Sequence, residues 1–182
     1  MASPEQITPV AVQELLADPA LARNWDLDPS RSTVLLSNRS MWGLARVTGS
    51  FHQITGSATV SPAGEVTGDV TVAAASIDTK NTRRDTHLRS SDFFDSANYP
   101  EITFTCESIR PSGQGVTVSG ILRVRDRTRP LTFDAAAVRG DGEVRLDATV
   151  HVNQADFGLT WNLMGMVSMH NTITVHAVFT SR

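Results

Sequence analysis

This chain of 182 residues predicts an all-β fold, a set of about eight antiparallel strands, on three observations. Apolar and polar residues alternate with period two through several long runs, the mark of strands with one buried face. Short turn sequences separate the runs: Ser61-Pro62-Ala63-Gly64, Pro111-Ser112-Gly113-Gln114-Gly115 and Gly140-Asp141-Gly142. Turns this short join antiparallel neighbours, because a parallel pair needs a long crossover. About eight strands is the number at which a closed barrel holds either packed side chains or one small ligand. Periodicity alone does not separate a barrel from a sandwich.

Taken in order, Thr8-Pro9 reads as a helix N-cap and first turn, followed by Val10, Val12, Leu15 and Leu16 and closed by Asp18-Pro19. Residues 1–22 are therefore expected to be a short helical extension, packed on the barrel, plugging one end or left as a leader. The β domain is expected over 23–182, with strands beginning near Trp25. A short helical turn is expected near 82–95, after Asn81. Beyond it Ile102, Phe104 and Cys106 oppose Thr103, Thr105 and Glu107. Val116, Val118, Gly120, Leu122 and Val124 share the next apolar face. Val144, Leu146, Ala148, Val150 and Val152 form another, and Ile173, Val175, Ala177 and Phe179 the last.

Composition narrows the function. Forty percent hydrophobic and 19% charged residues describe a globular chain. A net charge of -3 offers phosphate backbones no general attraction, which argues against nucleic acid as partner. Cys106 stands alone, so neither an internal disulfide nor a cysteine metal cage can form. No apolar run approaches the roughly 18 residues of a membrane span. The opening Met-Ala-Ser-Pro-Glu-Gln-Ile-Thr has an early acid and lacks the basic-then-apolar order of a secretory signal, so a cytoplasmic location is expected.

A set of motifs then runs through nearly all of the chain from Trp25 to Phe179. It opens with Trp25-Asp26-Leu27-Asp28 and Ser32, continues through Gly49-x-Phe51 and Gly56, and reaches Ala75-Ser76-Ile77-Asp78-Thr79. Arg84-Asp85-x-His87-Leu88 and Pro100-x-Ile102-x-Phe104 follow, then Gly120-x-Leu122, Thr128-x-Pro130-Leu131 and Asp156-Phe157-Gly158-Leu159. In order and spacing this resembles the YceI-like family of lipocalin-like β-barrels. The resemblance implies an eight-stranded antiparallel barrel that binds a polyisoprenoid or other long-chain lipid in its lumen. It further implies no catalysis, no cofactor beyond that lipid, homodimer formation, and relatives that are often exported. Two stretches depart from the family pattern: Ser37 to Gly43 lacks a basic-His pair, and Asn153-Gln154-Ala155-Asp156 carries Gln154 where an arginine is usual.

On this reading Trp42, Phe51, Phe104, Leu122, Phe133, Phe157 and Trp161 are lumen or mouth residues. Phe93 and Phe94 pack at the barrel end, near the ligand if their turn is helical. Arg84 and His87 stand at the opening, as a cationic rim or as part of a turn salt-bridged through Asp85 and Asp92, the second being favoured. Arg123, Arg125, Arg127 and Arg129 recur at alternate positions, the first pair at least on one solvated face, which an anionic membrane surface or acidic partner could touch. Cys106 follows the apolar parity and is expected to be a buried small hydrophobe.

Catalysis is the weaker reading. His170 and His176 lie about 20 Å apart at roughly 3.3 Å per strand residue, too far to chelate one ion. No Gly-x-Ser-x-Gly elbow or phosphate-binding glycine loop occurs. Two rivals remain: a small barrel enzyme using His87 or His151 as acid-base, and a ligand-free interaction protein using the arginine row.

Overall fold

Alternation of apolar and polar side chains builds a single 11-stranded antiparallel sheet in the computed structural model, which describes residues 17–41, 43–113, 115–161 and 165–182. The strands are β1 (Asn24–Leu27), β2 (Thr33–Ser40), β3 (Ala45–Phe51), β4 (Ile54–Val60), β5 (Val66–Ala73), β6 (Ile77–Asp78), β7 (Glu101–Ser112), β8 (Gly115–Val124), β9 (Arg127–Gly140), β10 (Glu143–Asn153) and β11 (His170–Ser181). One α-helix, α1 (Thr82–Arg89), lies between β6 and β7.

The sheet closes on itself. β1 pairs with β4 on one side and β11 on the other, so β1, β4, β5, β7, β8, β9, β10 and β11 form the expected eight-stranded barrel. β11 is long enough to pair with β1 through 179–181 and with β2 through 171–176. β2, β3 and β6 thus extend the wall beyond the ring at one end. The break between β1 and β2 is bridged at Val178, whose N–H donates to Ser32 Oγ and whose carbonyl accepts from Asp28 N–H. Within that break the Ser30 hydroxyl and then Arg31 donate to Asp28, holding its carboxyl down at about 2.

The inner face follows the alternation. Phe104, Leu122 and Arg129 are cross-strand neighbours, as are Cys106, Gly120 and Leu131. A bulge at Glu107 shifts the β7 register, so that Ile109, not Ser108, meets Val118 on the inside. Gly120 is dictated by crowding: a Cβ there would lie 2.1 Å from the Thr105 carbonyl oxygen and 2.8 Å from the Phe104 ring.

Each end has its own closure. At one, Pro19–Leu21 forms a 3-10 turn capped by the Asp18 side chain, and Leu21 is buried beneath it. The Trp25 indole donates to the Leu21 carbonyl, fixing both side chains over the lumen. The helix expected from Thr8 to Asp18 falls almost wholly outside the described residues. At the other end α1 and the Phe93-Phe94 turn lie across the mouth, with Phe93 and Phe94 both buried.

The arginine row is not one face. β8 ends at Val124 and Arg125 takes a left-handed turn conformation (φ 56°), so it leaves the strand that was expected to carry it beside Arg123. Its guanidinium donates to the Phe93 carbonyl and lies over the Tyr99 ring, which pins the turn to the hairpin. Arg129 sits opposite Leu122 on the inward parity, whereas Arg123 sits opposite Thr128 on the outward one.

Candidate functional site

The inward residues of β2, β5 and β7–β11 surround an interior cavity of about 270 Å³, on a scale where one water needs roughly 10–15 Å³. Its wall is almost wholly aliphatic and aromatic. Small side chains make the room: Ala135 and Ala148 face each other across β9 and β10, and both line the cavity. Val70, Phe104, Leu131, Phe133, Leu146 and Val175 point inward too, yet each is only half-buried. An interior filled by side chains would bury them fully.

The predicted residues distribute over two adjoining spaces. Phe51, Phe93, Phe94, Phe104, Leu122, Phe133 and Phe157 line the lumen. Phe93 and Phe94 meet edge to face at 4.8 Å between centroids, and Phe51 stands 6.1 Å from Phe94. Arg84, His87 and Trp161 line a second hollow of about 410 Å³ outside the α1 end, together with Arg83, and His87 packs 4.2 Å from the Trp161 ring. Trp42 lies outside the described residues. Leu36, Phe93, Gln154 and Asn171 border both spaces and form the neck between them.

The α1 rim is held differently from the salt-bridged turn that was favoured. Asn81 caps the helix by accepting from Arg84 N–H. Asp85 is buried and accepts from the Thr79 N–H and hydroxyl, tying the helix to the wall, so it is not an arginine partner. Asp92 comes within 3.9 Å of His87 Nδ1, and Arg89 donates to the Ile77 carbonyl. Arg83 and Arg84 therefore border the hollow without an ion pair among the described residues. Short-range capping and a buried Thr-Asp contact do the ordering, so among the described residues neither guanidinium is committed to holding the turn.

Cys106 lines the lumen and is half-buried, not fully buried as its parity suggested, because the surface it exposes is that of the cavity. Desolvation still pushes its thiol above the usual range, against reactivity. His151 and His176 lie on the outward parity of β10 and β11, where His176 pairs with Asp147 and His151 contacts Thr172. Among the described residues, no group of three His, Cys, Asp or Glu side chains is placed to hold a metal ion.

Sequence reasoning missed the neck amides. Asn38, Asn171 and Gln154 are linked by hydrogen bonds, Asn38 Nδ2 donating to Asn171 Oδ1 (2.7 Å) and Asn171 Nδ2 to Gln154 Oε1 (3.0 Å). The signal was present in the parity: Asn38 continues Val34 and Leu36, Asn171 precedes Ile173 and Val175, and Gln154 follows Val150 and Val152. The apolar inner faces of β2 and β11 each end on an amide, and the residue that follows β10 is a third, all at the same end.

Comparison with known proteins agrees with this architecture. The YceI-like domain model matches residues 25–179. Protein YceI of Escherichia coli O6:H1 is 32% identical over 131 residues, covering 70% of this chain and 68% of that protein. The crystal structure of Burkholderia cenocepacia BcnA superposes with a TM-score of 0.77 at 21% identity, over 84% of this chain and 99% of BcnA. A polyisoprenoid binding domain from Saccharophagus degradans, implicated in plant cell wall breakdown, gives 0.70 at 17% identity, over 89% and 99%.

Proposed function

The chain belongs to the YceI-like family, and on that premise we propose that its barrel binds one long apolar chain of isoprenoid type along the lumen. The role is storage or carriage without catalysis. The observation that carries the reading is the hollow inner face, whose central side chains stay half-buried around about 270 Å³ of apolar space. Hydrocarbon drawn from water into that space gains about 0.8 kcal/mol per buried methylene, so an apolar guest favours the lumen over solvent. The shared fold of the Saccharophagus degradans domain supports an isoprenoid as the class of guest.

The head of the chain lies toward α1, where Arg84, His87 and Trp161 border the outer hollow. Exchange takes place by brief contact with a membrane at the same end. There the β2–β3 turn exposes Met41 and Leu44, the latter 86% exposed. Arg39 and Arg46 sit directly opposite one another beside that turn, a like-charge pair that an anionic surface relieves. His87 Nδ1 and Asp92 stand 3.9 Å apart, beyond hydrogen-bond range, so among the described residues no carboxylate orients this imidazole.

Native mass spectrometry of the protein incubated with a polyprenol tests the reading. A single added chain per barrel, retained under conditions that keep the protein folded, is the expected result. A bare mass at saturating polyprenol would refute it.

A further inference from the structure

The neck amides specify more than a polar end to the lumen, because their orientation is fixed. Asn38 Nδ2 donates to the Ser168 backbone carbonyl at 2.8 Å, and a carbonyl can only accept, so the amino group of Asn38 must point there. The same Nδ2 donates to Asn171, which makes the facing atom of Asn171 its oxygen. Asn171 Nδ2 then turns toward Gln154, so the Gln154 atom it meets is Oε1. By elimination Gln154 Nε2 is the free donor at one end of the relay, and Asn38 Oδ1, buried and likewise without a partner among the described residues, is the free acceptor at the other. The Gln154 nitrogen is buried, on a residue only 3% exposed, and has no hydrogen-bond partner among the described residues. Gln154 is itself held in place, its backbone N–H donating to the Met169 carbonyl. Asn153 adds a cap at Ala155 N–H, at the start of the 3-10 turn that carries Gln154.

A buried N–H without an acceptor is a standing penalty that a ligand oxygen removes. We infer that Gln154 is a specificity-determining residue: it donates from the neck to an uncharged oxygen acceptor, an ether, hydroxyl or carbonyl oxygen, carried by an otherwise apolar ligand where its chain leaves the lumen. This inference rests on the lumen binding such a chain and adds which head it selects. At the neck itself the acceptor is uncharged, because Gln154 and its relay neighbours Asn38 and Asn171 are neutral amides, whereas the guanidinium groups of Arg83 and Arg84 line the outer hollow beyond it. A plain hydrocarbon fills the same lumen but leaves the donor unsatisfied.

The test compares three probes with one chain: geranylgeraniol, its methyl ether and the parent hydrocarbon, each titrated by displacement of a lumen-bound fluorophore. The wild-type protein is expected to bind ether and alcohol alike, each roughly tenfold more tightly than the hydrocarbon. Gln154→Leu should erase that preference, the ratio of alcohol to hydrocarbon affinity falling to about one, while an unchanged far-ultraviolet circular dichroism spectrum reports that the barrel is folded. Gln154→Glu keeps an oxygen for Asn171 but replaces the free donor with an acceptor, so it should favour the alcohol over the ether. Equal affinity of wild type for all three probes, or a preference that survives in both variants, would overturn the assignment while leaving lumen binding intact. Failure of every probe, hydrocarbon included, would overturn the lumen reading as well.

Discussion

Ala148→Phe is expected to abolish long-chain binding, with an affinity loss of about a hundredfold or more, while the barrel melts no lower than the parent. Ala148 and Ala135 are cross-strand partners on the inner faces of β10 and β9, and both line the lumen. A phenyl ring there enters space that the fold leaves open. The strain that enlarging a filled core brings, about 1–3 kcal/mol, therefore does not arise. Excluding even four methylenes of guest forfeits about 3 kcal/mol, and that sets the hundredfold scale. Ligand titration alongside thermal denaturation separates the outcomes. Unchanged affinity would mean that the guest lies elsewhere, and collapse of the fold would mean that the space is already taken.

Phe94→Ala is expected to cost about 3–5 kcal/mol of stability, read by denaturant unfolding. The Phe94 side chain is 5% exposed, joins Phe93 edge to face and belongs to the cluster that also holds Phe51, Leu122 and Phe157. Its backbone N–H is bonded to the Leu88 carbonyl, so the ring anchors the α1 closure to the barrel end. Removing it should also speed exchange of a bound chain, since the same ring borders the lumen. A loss below about 1 kcal/mol would show that the closure is held by the Asp85–Thr79 contact and the Arg125 hydrogen bond instead.

Strand-level structure was legible because its period is short and its penalty for error is large. A one-residue slip in β8 would turn Val116, Val118 and Leu122 outward, so alternation specifies that face strongly. Phe104 and Leu122 followed from the same alternation, the other lumen aromatics from the family likeness and the expected turn, and seven of the proposed contacts, Phe51 to Phe157, border one cavity. What failed was local chemistry that parity does not encode. Arg125 was expected to share a strand face with Arg123, but the left-handed turn takes it out of the strand and gives it the Phe93 carbonyl as partner. Asp85 looked like an arginine partner because charge is visible in a sequence, whereas the buried Thr79 hydroxyl that claims it is not. Gln154 illustrates a third case: its parity was readable, but its meaning depends on Asn38 and Asn171, which lie far off in sequence and meet it only through strand register.

Photo-crosslinking puts the lumen itself to the test. A polyprenol analogue with a diazirine midway along its chain, bound and irradiated, is predicted to label inward residues of the central wall such as Phe104, Leu131 and Val150. Adducts confined to outward neighbours such as Thr105, Thr132 and His151, with the inner wall untouched, would contradict the account.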